Sequence, residues 1–270
     1  MRILSKSHFA AIALVALVTN ASCARYLPWR REPAALEVNL AFTLERNLIE
    51  LQTVRLNNRS GRFLLGSAAP RTVVDPRFAG AGPYMLQLTE KETVRLSPAQ
   101  LDLAGVADAI IGVEPWRARA ISIDYRIGLV TFQKDGIHTG YMKIFRYDDA
   151  PMIYVNVDGR DIAAIVDTTS PDTLVLTRAQ RGRGVARVMI GDTDFGTIDI
   201  GYANISQPRV GNRLLSRFLV TIDYGKRVVG LWRDPRIADG IADGVRSSFG
   251  ADGVRSGSAD GVRSSLMRTH

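Results

Sequence analysis

The 270-residue chain is poor in cysteine, histidine and lysine, and each shortage removes a kind of chemistry. Cys23 is the only cysteine, so no disulfide forms within the chain and the body has no thiolate for nucleophilic or metal work. The histidines are His8, His138 and His270. Only His138, in the loop-like "KDGIHTG", falls in the body. One loop histidine is a poor basis for a Ser-His-Asp triad, and a histidine-rich metal site is excluded. Lysine supplies five of the 35 basic residues, at 6, 91, 134, 143 and 226, so the formal charge of +8 is carried almost wholly by arginine. The arginines are scattered, with no basic run interleaved with aromatics, which reads as a solvated basic surface and not as a nucleic-acid site. A weak attraction to anionic lipid headgroups is one consequence. No cofactor or metal is expected.

Long apolar runs are scarce too. The one near the start, Phe9 to Val18, is too short to cross a bilayer as a helix. With Arg2 and Lys6 before it and Ser22 and Ala24 after it, residues 1–24 read as a secretory signal cleaved after Ala24. The alternative, ranked second because Asn20 stands where a lipobox usually has an aliphatic residue, is lipid attachment at Cys23. The expected location is the periplasm or cell envelope. At the other end, residues 236–270 contain ADGVRS three times, at 242, 251 and 259. They are too poor in large apolar side chains to offset their ordering entropy and are expected to be disordered.

What remains, about 36–235, consists of short alternating apolar runs punctuated by Gly, Pro, Asn and Asp. "TVRLNNRSGRFLLG", "MIYVNVDGRDIAAIVD" and "FLVTIDYGKRVVGLW" each read as two strands around a turn. Helical patterns are confined to short pieces near 97–104 and 212–218. The body is all-β.

It also repeats itself. "RFLLGSAAPRTVV" (62–74) aligns with "AAIVDTTSPDTLV" (163–175): Pro70 falls on Pro171, Thr72 on Thr173, Ser67 on Thr168 and Ala69 on Ser170, an offset of 171 − 70 = 101. "AIIGVEPWRARAISIDYRIGLVTF" (109–132) aligns with "PRVGNRLLSRFLVTIDYGKRVVGLW" (208–232). Gly112 falls on Gly211 and Ile123-Asp124-Tyr125 on Ile222-Asp223-Tyr224, an offset of 223 − 124 = 99. Two matches in the same order and at nearly one offset indicate two β lobes, 36–135 and 145–235, related by internal duplication.

These segments resemble the two-lobed, retropepsin-like aspartic proteases of bacteria. In that family each lobe carries strand–Asp-Thr/Ser-Gly–turn, followed by an apolar–apolar–Gly segment crossing beside the turn. The resemblance implies two barrel-like lobes with a groove between them, a monomer, and two aspartates that share a proton and activate a water. It also implies a hydroxyl after each aspartate that braces the two turns against each other. Carried over by position, Asp167, Thr168 and Thr169 take the aspartate, hydroxyl and glycine places of the second lobe. Gly66, Ser67 and Ala68 take those of the first. One aspartate is therefore missing and both glycines are replaced, with Thr169 bringing a branched side chain to a place of close approach. Asp75 lies beyond the turn and has no route back to the axis.

The resemblance with this departure leaves three expectations. The first is an impaired protease that binds an extended peptide or other ligand, with a peptide or protein as the partner, between its lobes. The second is a weak aspartic-type endopeptidase using Asp167 alone. The third is a structural envelope protein. Among other features, "FAGAGPYMLQL" (78–88) reads as a surface hairpin, with a flap over the groove as the alternative. "TRAQRGRGVAR" (177–187) reads as a solvated loop and "GDTDFG" (191–196) as a hairpin turn. Asp124 and Asp223, at matching positions, suggest a shared structural role.

Overall fold

The computed structural model describes residues 38–80, 82–133 and 141–234. The segment 1–24 with Cys23, the loop histidine His138 and the repeats of 236–270 lie outside these residues. The described residues belong to one compact unit. Among them the chain is all-β, with twenty strands.

The first half contains β1 (Val38–Glu45), β2 (Leu48–Leu51), β3 (Arg55–Leu56), β4 (Phe63–Leu65), β5 (Val73–Val74), β6 (Tyr84–Gln87), β7 (Thr93–Leu96), β8 (Ala99–Gln100), β9 (Ala109–Ile111), β10 (Ala120–Asp124) and β11 (Leu129–Gln133). The second half contains β12 (Lys143–Arg146), β13 (Met152–Val157), β14 (Arg160–Val166), β15 (Leu174–Thr177), β16 (Gly182–Ile190), β17 (Thr193–Ala203), β18 (Arg209–Val210), β19 (Leu219–Asp223) and β20 (Val228–Trp232). A 3₁₀ turn at Glu114–Trp116 and a helical turn at Asn212–Leu215 are the helical pieces.

Alternation sets the faces. Along β1, Val38, Leu40 and Phe42 point inward and their neighbours outward. Two-residue turns in the left-handed region join β1 to β2 (Arg46 φ 50°, Asn47 φ 61°) and β13 to β14 (Asp158 φ 50°, Gly159 φ 84°). Such turns match the twist of the strands that they connect.

Six strands, in the order β12-β20-β19-β10-β11-β1, form the first part of an eleven-stranded sheet. Their central pair, β10 and β19, is antiparallel, with Ser122 opposite Thr221 and Ile121 opposite Ile222. From β1 the sheet continues through β2-β4-β9-β5-β8. Strands β13-β14-β18-β15-β17-β16 close into a barrel filled by Val155, Ala164, Val166, Leu174, Val188, Ile200 and Val210. Most of this core is continuous, running from Val38 to Leu231.

Both halves use the same pairing order. β4 is parallel to β9, β9 antiparallel to β5, and β5 parallel to β8. Likewise β14 is parallel to β18, β18 antiparallel to β15, and β15 parallel to β17. The first half stays open where the second closes. Its β8 is two residues long and follows Pro98, which has no N–H for the ladder, and its β6–β7 hairpin pairs with β3 in a separate three-stranded sheet.

Three expectations need correction. Residues 97–104 are not helical: Ala99 and Leu101 donate to the carbonyls of Thr72 and Val74, and that pairing holds them extended. Residues 57–61 do not join two paired strands. The turn at Asn57–Asn58 closes on a Leu56–Arg59 bridge, after which β3 pairs with β6 and β4 with β2 and β9. Within 177–187, residues from Gly182 on are strand, because β16 is needed to close the barrel against β17 and β13. The hairpin at 191–196 is as expected, with Gly191 and Asp192 turning β16 into β17. In 78–88, Tyr84, Leu86 and Leu88 are buried while Met85 is exposed.

Candidate functional site

Strands β4 and β14 each run into a tight turn. Ala69 N–H donates to the Gly66 carbonyl (3.3 Å), and Ser170 N–H to that of Asp167 (3.1 Å). A second segment crosses each turn. Gly66 N–H donates to Ile111 (2.8 Å) and Val113 N–H to Ala69 (2.8 Å). Asp167 N–H donates to Val210 (3.0 Å) and Asn212 N–H to Ser170 (2.9 Å). The crossing is so close that Gly112 and Gly211 cannot carry a side chain. A Cβ would lie 2.4 Å from the Arg71 carbonyl in one case and 2.4 Å from the Asp172 oxygen in the other.

The two turns clasp each other through their hydroxyls. Ser67 N–H donates to Thr168 Oγ1 (2.9 Å), and Thr168 N–H to Ser67 Oγ (3.0 Å). Ser67 Oγ donates to the Val166 carbonyl (2.7 Å), and Thr168 Oγ1 to the Leu65 carbonyl (2.5 Å). Each hydroxyl thus gives one bond and takes one, and both side chains are fully buried. In a site shut off from water this reciprocity removes the desolvation cost that either hydroxyl alone would carry.

Further polar groups close around the clasp. Tyr224 Oη donates to the Ser67 carbonyl (2.8 Å). Tyr125 Oη donates to Asn212 Oδ1 (2.8 Å), and Asn212 Nδ2 donates to the carbonyls of Thr168 and Asn47 (2.7 Å each). Burial pushes both tyrosine hydroxyls well above their ordinary ionisation range. These tyrosines are the last residues of the two "IDY" repeats. The aspartates before them are structural: Asp124 binds Arg126, and Asp223 accepts from Lys226 N–H.

Asp167 lies beside the clasp, 2% exposed, with both oxygens engaged. Its Oδ1 accepts from Thr169 N (2.9 Å) and Thr169 Oγ1 (2.6 Å). Its Oδ2 accepts from Arg209 Nη1 (2.7 Å). The aspartate-place counterpart in the first half, Gly66, is enclosed: a Cβ there would lie 2.8 Å from Ile110 Cγ2 and 3.0 Å from Ala69 Cβ. Ile110 and Arg209 hold matching places, each two residues before its crossing glycine. One turn therefore has a carboxylate with a cation against it, and the other has neither carboxylate nor room for one.

All six sequence-selected residues (Gly66, Ser67, Ala68, Asp167, Thr168 and Thr169) lie on these two turns, and Ser67 and Thr168 are in direct contact. Thr169 is not an obstruction, since its hydroxyl and amide serve Asp167. Arg209 was missed. Its signal was an arginine opposite an isoleucine when "PRVG" is set against "IIG". Asp75 is buried but committed elsewhere, to Arg77 and the Leu103 amide, which hold its carboxyl far below the ordinary range. A pocket of about 250 Å³ opens on the barrel, with Thr173, Asp199, Arg213 and Arg217 in its lining and none of the clasp residues. No protein-family model matches the chain, and no curated protein matches it.

Proposed function

We propose that the chain is an exported, aspartic-protease-like protein of two duplicated lobes (36–135 and 145–235) that holds an extended peptide or protein segment in the groove between them without cutting it. The observation that carries the non-catalytic reading is the Asp167–Arg209 ion pair opposite an enclosed Gly66. A protease dyad needs two carboxylates sharing a proton and a water held between them. Here the remaining carboxylate has no acidic partner. Its oxygens are taken by a guanidinium and by Thr169, so a water would have to displace them to be polarised.

The duplication is supported by the pairing of β10 with β19. Ser122 and Thr221, equivalent under the repeat offset (221 − 122 = 99), stand opposite each other, as they would on a two-fold axis. The identical pairing order around β9 and β18 and the reciprocal Ser67–Thr168 bonds support it as well. A ligand role is supported by the outward face of the strand that leads to Asp167. Ala163 and Ile165 are half-buried there, and Tyr154, opposite Ala163, is 59% exposed. An extended peptide can lay alternate side chains against such a face.

Digestion of a peptide library at acid and neutral pH, with wild type and Asp167→Asn, tests this reading. No cleavage by either, with peptide retained on both, is the expected result. Cleavage by wild type that is lost in Asp167→Asn would refute it and restore the single-aspartate endopeptidase. Failure to retain any peptide would leave the structural envelope role. Mass spectrometry for a thioether-linked lipid at Cys23 distinguishes an anchored from a free exported form.

A further inference from the structure

The barrel pocket has a neighbour that suggests its occupant. Its lining combines the bases Arg213 and Arg217, the acid Asp199, and three apolar side chains, Leu214, Val185 and Ile198. Val185 stands directly across from Asp199 on the paired strands β16 and β17 and is 64% exposed. An apolar residue that open, between charges of both signs, suits a ligand that carries an acid, an apolar side chain and a base in a short stretch.

The chain itself supplies such a stretch. ADGVRS, at 242–247, 251–256 and 259–264, places an aspartate, a valine and an arginine within four consecutive positions each time. The last described residues before these repeats are close to the pocket. Arg233, two residues before the 36-residue segment 235–270, lies over the Phe195 ring at 5.4 Å, and pocket-lining Arg217 lies over the same ring at 5.7 Å. Asp243, Asp252 and Asp260 follow Asp234 by 9, 18 and 26 residues; for a Gly-rich linker, which spans roughly 5–6 Å times the square root of its residue number, those lengths correspond to a reach of about 15–30 Å. Tethering at that range presents each repeat at an effective concentration on the order of millimolar, and three copies multiply the chances of engagement.

We propose that this pocket is an intramolecular docking site for the ADGVRS repeats. The repeat aspartate (Asp243, Asp252 or Asp260) faces Arg213 and Arg217, the valine covers Val185 and Leu214, and the repeat arginine faces Asp199. The three copies exchange at one site. This inference is independent of the reading of the Asp167 turn.

The test uses the full chain with Cys23→Ser and Ser256→Cys, carrying a nitroxide on the single thiol so introduced into the second repeat. Paramagnetic broadening of the backbone amide signals is measured in three forms: this parent, Arg213→Glu, and the tail variant Asp243→Asn/Asp252→Asn/Asp260→Asn. The expected result is broadening centred on Val185, Thr197 and Asp199, reduced at least threefold in both variants and by raised salt. Arg213 is exposed, so an unchanged melting temperature in both variants separates lost docking from lost structure. Broadening that is absent, spread evenly over the surface or indifferent to both variants overturns the proposal. Broadening of an unlabelled, isotope-enriched partner in a mixed sample also overturns it, since the occupant would then be a second copy.

Discussion

Replacing Thr168 by valine keeps the side-chain shape and removes one oxygen. That oxygen accepts from Ser67 N–H and donates to the Leu65 carbonyl, and the residue is 0% exposed. The substitution therefore leaves a buried amide without an acceptor and a carbonyl short of a donor. A buried group stripped of its partner costs about 1–3 kcal/mol, so the expected loss for the two groups is about 2–6 kcal/mol. That is a large share of the roughly 5–15 kcal/mol that holds a domain folded. The assay is urea unfolding of wild type, Thr168→Val and Thr168→Ser. The valine variant should lower the midpoint at unchanged slope. The serine variant keeps the hydroxyl and should lose about 1 kcal/mol or less, the scale of one buried methyl. A valine variant within about 0.5 kcal/mol of wild type, the size of an ordinary surface change, would refute the clasp as a stabilising element. So would a serine variant as damaging as valine. The other two clasp bonds belong to Ser67, so Ser67→Ala/Thr168→Val removes the whole clasp. Its departure from additivity measures how far the two turns close as a unit.

Other expectations follow from the same region. Arg209→Met strands the buried Asp167 carboxylate and should cost about 2–4 kcal/mol, a little under the usual figure for a fully buried pair; adding Asp167→Asn should recover most of the loss in the same unfolding assay. Gly211→Ala forces a Cβ to within 2.4 Å of backbone and should cost about 3 kcal/mol or more, read as a fall in melting temperature. Asp75 is held by Arg77 below its ordinary range, so its contribution is complete above the unfolded value near pH 4 and is lost as pH falls further. Asp75→Asn should accordingly flatten the acid limb of a stability–pH profile. At high pH the sign reverses. Burial pushes Tyr147 up to about 12 and pushes Tyr125 and Tyr224 well above their ordinary range, so their contribution is present below about pH 10 and is lost as pH rises through their folded values. Absorbance titration of the eight tyrosines should show these three ionising only with unfolding.

The all-β character was legible in the sequence because alternation and turn residues are local. "VDG" placed the β13–β14 turn without knowledge of any partner strand. The two special turns were legible because the chain spells them twice, with Pro70 and Pro171, Thr72 and Thr173, and Gly112 and Gly211 in step. Pairing across distance was not legible. The residues 97–104 look helical in isolation, but the extended partners at 72–74 decide their conformation. The pairing of β3 with β6 instead of its chain neighbour β4 depends in the same way on a hairpin thirty residues away.

For the site, sequence alone determined that one carboxylate is present and one absent, because Asp167 and Gly66 are fixed covalently. What those facts mean chemically was decided by tertiary structure. Arg209 is 42 residues from Asp167 and reaches it only because β18 lies parallel to β14. Ile110 encloses Gly66 only because β9 lies parallel to β4. A carboxylate's chemistry depends on which charges and donors stand within a few ångströms, and the fold sets those distances.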